Sequence, residues 1–154
     1  MANWFECRVS YDSSFKENED PKNAKKKEIY LVDALSFTEA EARIIKEITP
    51  FVVGELDVTA VNKKKITEMV FNDAPDADKW YRCKVLYITI EDDVEKKVAT
   101  TYMVQAADFE GALKHLVEVG LNGILSEYEI ASITETQIMD VFKYEAPEEK
   151  ANHD

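Results

Sequence analysis

The chain has 154 residues, is 45% hydrophobic and 10% aromatic, and carries a formal net charge of −12. That is enough apolar material for a buried core, and enough chain for one ordinary domain or two very small ones. The acidic balance repels phosphate backbones and anionic lipid, which argues against nucleic acid and membrane as partners.

No apolar run approaches a bilayer span; Phe51-Val52-Val53 is typical of the longest. The first residues, Met1 to Arg8, lack a basic start followed by an apolar stretch, which predicts a cytoplasmic protein. The two cysteines, Cys7 and Cys83, show no C-x-x-C spacing and fit neither a disulfide framework nor a zinc site. No cofactor is expected.

The first segment alternates. Phe5, Cys7, Val9 and Tyr11 fall on one face and Glu6, Arg8 and Ser10 on the other, the period of a half-buried strand. A lysine-rich loop, Asp12 to Lys27, leads to a second strand over Glu28 to Ala34. Ser36, three residues before Glu39, has the spacing of a helix cap, and Thr38 before Glu41 offers the same spacing, so two starts stand open. Phe37, Ala40, Ile44, Ile45 and Ile48 then form a helical stripe, and Pro50 ends the helix near Thr49. Glu55 to Val61 alternates again, and Lys65 to Phe71 reads as a shorter closing strand. Asn72 to Asp78 has the composition of a linker.

The pattern then repeats. Trp4, Cys7, Val9 and Tyr11 recur as Trp80, Cys83, Val85 and Tyr87, an offset of 76 (80 − 4). Tyr30 to Ala34 recurs as Tyr102 to Ala106 at an offset of 72 (102 − 30), because the loop near Glu91 to Lys97 is four residues shorter. Asp108 takes the place of Ser36, and the second stripe is Phe109, Ala112, Leu113, Leu116 and Val117, with Gly120 and Gly123 as stop signals. Tyr128 to Ile133 and Gln137 to Phe142 supply the last two strands. The expected fold is therefore α+β, a tandem duplication of a β-β-α-β-β unit, with antiparallel sheets each covered by one helix. The expected organisation is one domain over residues 1–143. Repeat one covers 1–71, a linker 72–79 and repeat two 80–143, followed by an acidic tail, 144–154, that frays.

Trp4-Phe5-Glu6-Cys7, the run Tyr30 to Ala42 and the run Ile133 to Phe142 together resemble a bacterial family catalogued as domain of unknown function 4494. The resemblance covers nearly the whole chain except the acidic tail. It implies an intracellular bacterial protein and carries no activity, ligand or catalytic residue.

The residues offer little chemistry. His115 lies off the helical stripe and reads as a solvated helix residue, and His153 sits in the tail. Cys7 and Cys83 read as small core hydrophobes. No phosphate-binding glycine motif occurs, and the carboxylates are dispersed. Trp4 and Trp80 start equivalent strands, where they bury between the copies or, if exposed, anchor a partner. Lys22, Lys25, Lys26 and Lys27, then Lys63, Lys64 and Lys65, and then Lys96 and Lys97, cluster at expected turns. Such lysines solubilise turns and guard strand edges. If the turns share one end of the sheets, they instead make a basic edge where exposed aromatics stack bases.

The leading expectation is a non-enzymatic interaction or assembly module that binds a protein partner or itself. Its candidate contact residues are Trp4, Trp80, Lys25, Lys26, Lys27, Lys64 and Lys65. A small-molecule or nucleotide binder with its pocket between the repeats is the alternative, and single-stranded nucleic acid on the lysine turns a weaker one.

Overall fold

The computed structural model describes residues 3–12 and 25–143. The acidic tail and most of the lysine-rich loop lie outside the described residues. Among the described residues the fold is α+β, with two four-stranded sheets and two α-helices. Two compact units result, one from the chain up to Lys64 together with the segment from Asp140, the other from Lys65–Met139.

In the first unit, β1 (Trp4–Asp12) buries Phe5, Cys7 and Val9 on one face, the set its alternation selects. It pairs antiparallel with β2 (Lys25–Asp33), Cys7 opposite Tyr30. On its other side lies β3 (Leu56–Lys64), also antiparallel. The β1–β3 register slips between Arg8 and Val9, which leaves Thr59 as the extra residue of a β-bulge. The helix α1 (Phe37–Ile48) begins at Ser36, whose Oγ accepts the Glu39 N–H at 3.1 Å. It ends at Thr49, just before Pro50. Ala40, Ile44 and Ile48 pack into the core, whereas Phe37 and Ile45, at the margins of the expected stripe, stay exposed. Ala40 lets the helix approach the sheet closely because it adds only a methyl group.

In the second unit, β4 (Glu68–Val70) precedes β5 (Lys79–Glu91) and β6 (Val94–Ala106). The β5–β6 hairpin sets Cys83 opposite Tyr102. Its loop is shorter than the sequence predicts. Only Asp92 and Asp93 turn the chain, at φ 50° and 61°, the left-handed pair that a two-residue type I′ turn requires. Glu95 to Lys97, expected in a loop, are strand. The helix α2 (Phe109–His115) is capped by Asp108, whose Oδ1 accepts the Gly111 N–H at 2.7 Å. Ala112 and Leu116 are buried, while Phe109, Leu113 and Val117 remain exposed. A widened turn over Leu116–Gly120 ends the helical segment, and Leu121 N–H reaches back to Leu116 O at 2.8 Å. Beyond it, β7 (Glu127–Glu135) pairs antiparallel with β5, with Ala131 as the bulged residue.

The closing strands depart from expectation. The sheet orders are β3-β1-β2-β8, where β8 is Ile138–Phe142, and β4-β6-β5-β7. Each half of the sequence thus gives its last strand to the other half's sheet. The β4–β6 pairing is moreover parallel, so the second sheet is mixed. Contacts between segments distant in sequence explain the choice. Thr67 N–H donates to Thr101 O at 2.8 Å, and Val70 packs where Gly120 leaves room. A Cβ on Gly120 would lie 3.0 Å from Val70 Cγ2. In the first sheet, Ile138 and Val141 are buried and Phe142 stacks on Tyr30 at 5.7 Å.

Candidate functional site

Both helices hold the end of the incoming strand. Arg43 Nη2 donates to Lys143 O at 2.7 Å, one residue past β8. His115 Nε2 lies 2.7 Å from Phe71 O, one residue past β4. A carbonyl only accepts, so Nε2 carries the proton. This corrects the reading of His115 as a solvated helix residue: it is half-buried and tied to the backbone.

Neither tryptophan is an exposed anchor. Trp4 is 6% exposed and Trp80 2%, and Trp80 meets Phe71 edge-on at 5.4 Å. Of the lysines expected at turns, Lys22 lies outside the described residues, and the others except Lys65 lie on strands. Lys25, Lys26 and Lys27 lie on β2 opposite Asp12, Tyr11 and Ser10, whereas Lys64 lies on β3 opposite Trp4. The length of β1 separates the two groups, about 27 Å at ~3.4 Å per residue. Antiparallel pairing on both flanks of β1 forces this, so the two groups form no common basic edge. Lys65 follows directly on β3 and is exposed. Lys96 and Lys97 are paired with Glu91 at 2.9 Å and Glu129 at 3.2 Å.

The cysteines are fully buried, and desolvation pushes each thiol from 9.0 up to about 11. For Cys7 the neighbouring Glu6 and Glu41 charges add to the rise. Thiols in that state are poor nucleophiles at neutral pH.

One polar cluster was not singled out from sequence. Tyr11 and Tyr30 both donate to Glu28 Oε1, at 2.6 and 2.9 Å. Burial first, and the Glu28 acceptor second, push Tyr11 from 10.0 up to about 12 and raise Tyr30 further. In the second unit Tyr87 and Tyr102, on the β5–β6 hairpin, bond to each other through their hydroxyls, and Thr100 precedes Tyr102 by two residues as Glu28 precedes Tyr30. The signal was in the sequence: two tyrosine pairs, Tyr11 with Tyr30 and Tyr87 with Tyr102, of which only the first has a carboxylate two residues before its second member. Phenols held protonated against a carboxylate make a structural clasp between β1 and β2, not a base at neutral pH. Among the described residues, no group of three or more His, Cys, Asp or Glu side chains is arranged to hold a metal, and no helix is long and apolar enough to cross a membrane.

Among the described residues, the connections after the helices carry the two most exposed large apolar side chains, Leu125 and Phe51, and Leu35, just before α1, is nearly as exposed as Phe51. In the first unit Phe51 is 81% exposed, with Val53 beside it. In the second, Leu125 is fully exposed, with Val119 and Ile124 nearby. Gly54 (φ 97°) and Gly123 (φ 82°) turn these loops with left-handed backbones. Sequence reasoning passed over these residues because a few apolar residues without periodicity resemble core.

No curated protein matches the chain. A family model described as "Domain of unknown function (DUF4494)" matches residues 3–144, and the chain belongs to that family.

Proposed function

We propose that the chain is a tandem duplication of one scaffold, kept as a non-enzymatic module that binds another protein. Several features support the duplication. The strand pairs share their register, the bulges fall at Thr59 and Ala131, and Ser36 and Asp108 cap equivalent helices. The observation that carries the binding role is the pair of loops presenting Phe51 and Leu125. Exposed large apolar side chains cost solubility unless they bury against a partner.

The test compares co-purification from cells of the wild type and a Phe51→Ser, Leu125→Ser variant. Both positions are exposed, so the variant should melt within a few degrees of the wild type. One discrete protein recovered with the wild type and lost with the variant is the expected result. Equal recovery with both, or none with either, overturns the reading.

A further inference from the structure

The two outer strands β3 and β7 occupy the same place in their sheets, yet their charges differ. Among the described residues, no strand pairs with the outer edge of either. An open edge is a row of unpaired N–H and C=O groups that another strand can complete. β3 runs from acidic to basic: Glu55 stands just before it, Asp57 lies in its first turn of pleat, and Lys63 and Lys64 end it. β7 carries Glu127, Glu129 and Glu135 and no cation. Two of those carboxylates are already engaged, Glu129 by Lys97 at 3.2 Å and Glu135 by Lys79 at 3.4 Å.

We propose that β3 is a self-recognition edge, pairing antiparallel with β3 of a second copy of this chain about a two-fold axis. The bulge at Thr59 selects the register. Residues opposite one another across an antiparallel pair share a face. Val58 and Val61 both face the core, opposite Val9 and Cys7, while Asp57, Ala60, Asn62 and Lys64 face outward. The faces switch phase at Thr59. The register that sets Thr59 of one copy opposite Ala60 of the other keeps like faces together along the whole strand. It places Val58 opposite Val61, Asp57 opposite Asn62, and Glu55 opposite Lys64. The axis makes every pair twice, so two Glu55–Lys64 ion pairs close the ends, with Asp57 diagonal to each Lys64. Lys64 is available for this. Its own-chain partner Glu6 is 3.9 Å away and is held closer by Arg8, at 3.3 Å. The same register on β7 sets Glu127 opposite Thr136, Tyr128 opposite Glu135 and Glu129 opposite Thr134, with no ion pair.

The edge lysines have a competing role, to repel other strands. The two roles predict opposite effects of charge reversal. Sedimentation should show the wild type in a monomer–dimer equilibrium that weakens with salt. Glu55→Lys and Lys64→Glu should each raise the dissociation constant roughly tenfold or more, since each turns two attractions into repulsions. An equimolar mixture of the two variants should recover association, because in the mixed dimer every 55–64 contact joins opposite charges. Cross-linking fixes the register. Asp57→Cys and Asn62→Cys should form a disulfide only when mixed, since like positions lie about 17 Å apart along the strand. The native thiols are buried and do not compete. A monomeric wild type at 100 µM or so, tighter association of Lys64→Glu, or no recovery on mixing overturns the proposal. Association unchanged by both single variants overturns it too, and leaves the reading of the Phe51 and Leu125 loops standing.

Discussion

At the scale of single residues, burial rather than reactivity governs the titrating groups. Cys7, Cys83 and Tyr11 are all raised above their ordinary values, by desolvation first. A raised pKa means that the unfolded chain gives up its proton first. The stability these groups contribute is therefore complete below pH ~9 and drains as pH rises, through 9.0 to about 11 for the thiols and 10.0 to about 12 for Tyr11. Alkaline titration followed by circular dichroism should show no loss of structure at pH 8 and cooperative unfolding above pH 10. Tyr11→Phe, which removes one donor to Glu28, should narrow the loss in that upper window. Unfolding complete by pH 9 would contradict the assignment. Thiol reagents at pH 7.5 should label neither cysteine until denaturant is added.

At the scale of elements, the local rules read well. The alternation of Phe5, Cys7 and Val9 gave a strand, Ser36 and Asp108 gave caps, and Pro50 gave a stop. Replacing Ser36 by Ala should cost about 1 kcal/mol, and Asp108 a similar amount, read from denaturant midpoints. The Asp92–Asp93 turn is the least suited to its backbone. Changing it to Asn-Gly should add about 1 kcal/mol by relieving left-handed strain, and an unchanged melting temperature would refute a type I′ turn there. The rules failed where pairing depends on distant residues. Glu68–Val70 is three residues long, and nothing in Glu-Met-Val names its neighbour. Its place beside β6 rests on room above Gly120 and on Thr67 meeting Thr101, both far away in sequence. Lys25 to Lys27 were equally opaque. A run of lysines has no period, so only the register with Ser10 to Asp12 reveals that they are strand. The candidate surface fared similarly: the indoles of Trp4 and Trp80 drew notice by type, yet both are buried, and the most exposed large apolar side chains among the described residues are Leu125 and Phe51.

At the scale of the whole molecule, the exchanged last strands govern how damage spreads. Ending the chain after Gln137 removes β8, and with it Ile138, Val141 and the Phe142 ring on Tyr30. Burial of Ile138 and Val141 alone stabilises by roughly 3–6 kcal/mol. The loss should fall on the first unit, although the cut is at the far end of the sequence. Hydrogen exchange should show the amides of β2 deprotected while those of β5 and β6 stay slow; uniform loss, or none, would refute the strand order. The same connectivity constrains synthesis. A nascent chain cannot close its first sheet when the first half has left the ribosome, because β8, the strand beside β2, is translated after β5, β6 and β7. Until then the emerging β2 edge is open, so the first unit completes its sheet after the second unit's strands exist, reversing the order in which they are translated.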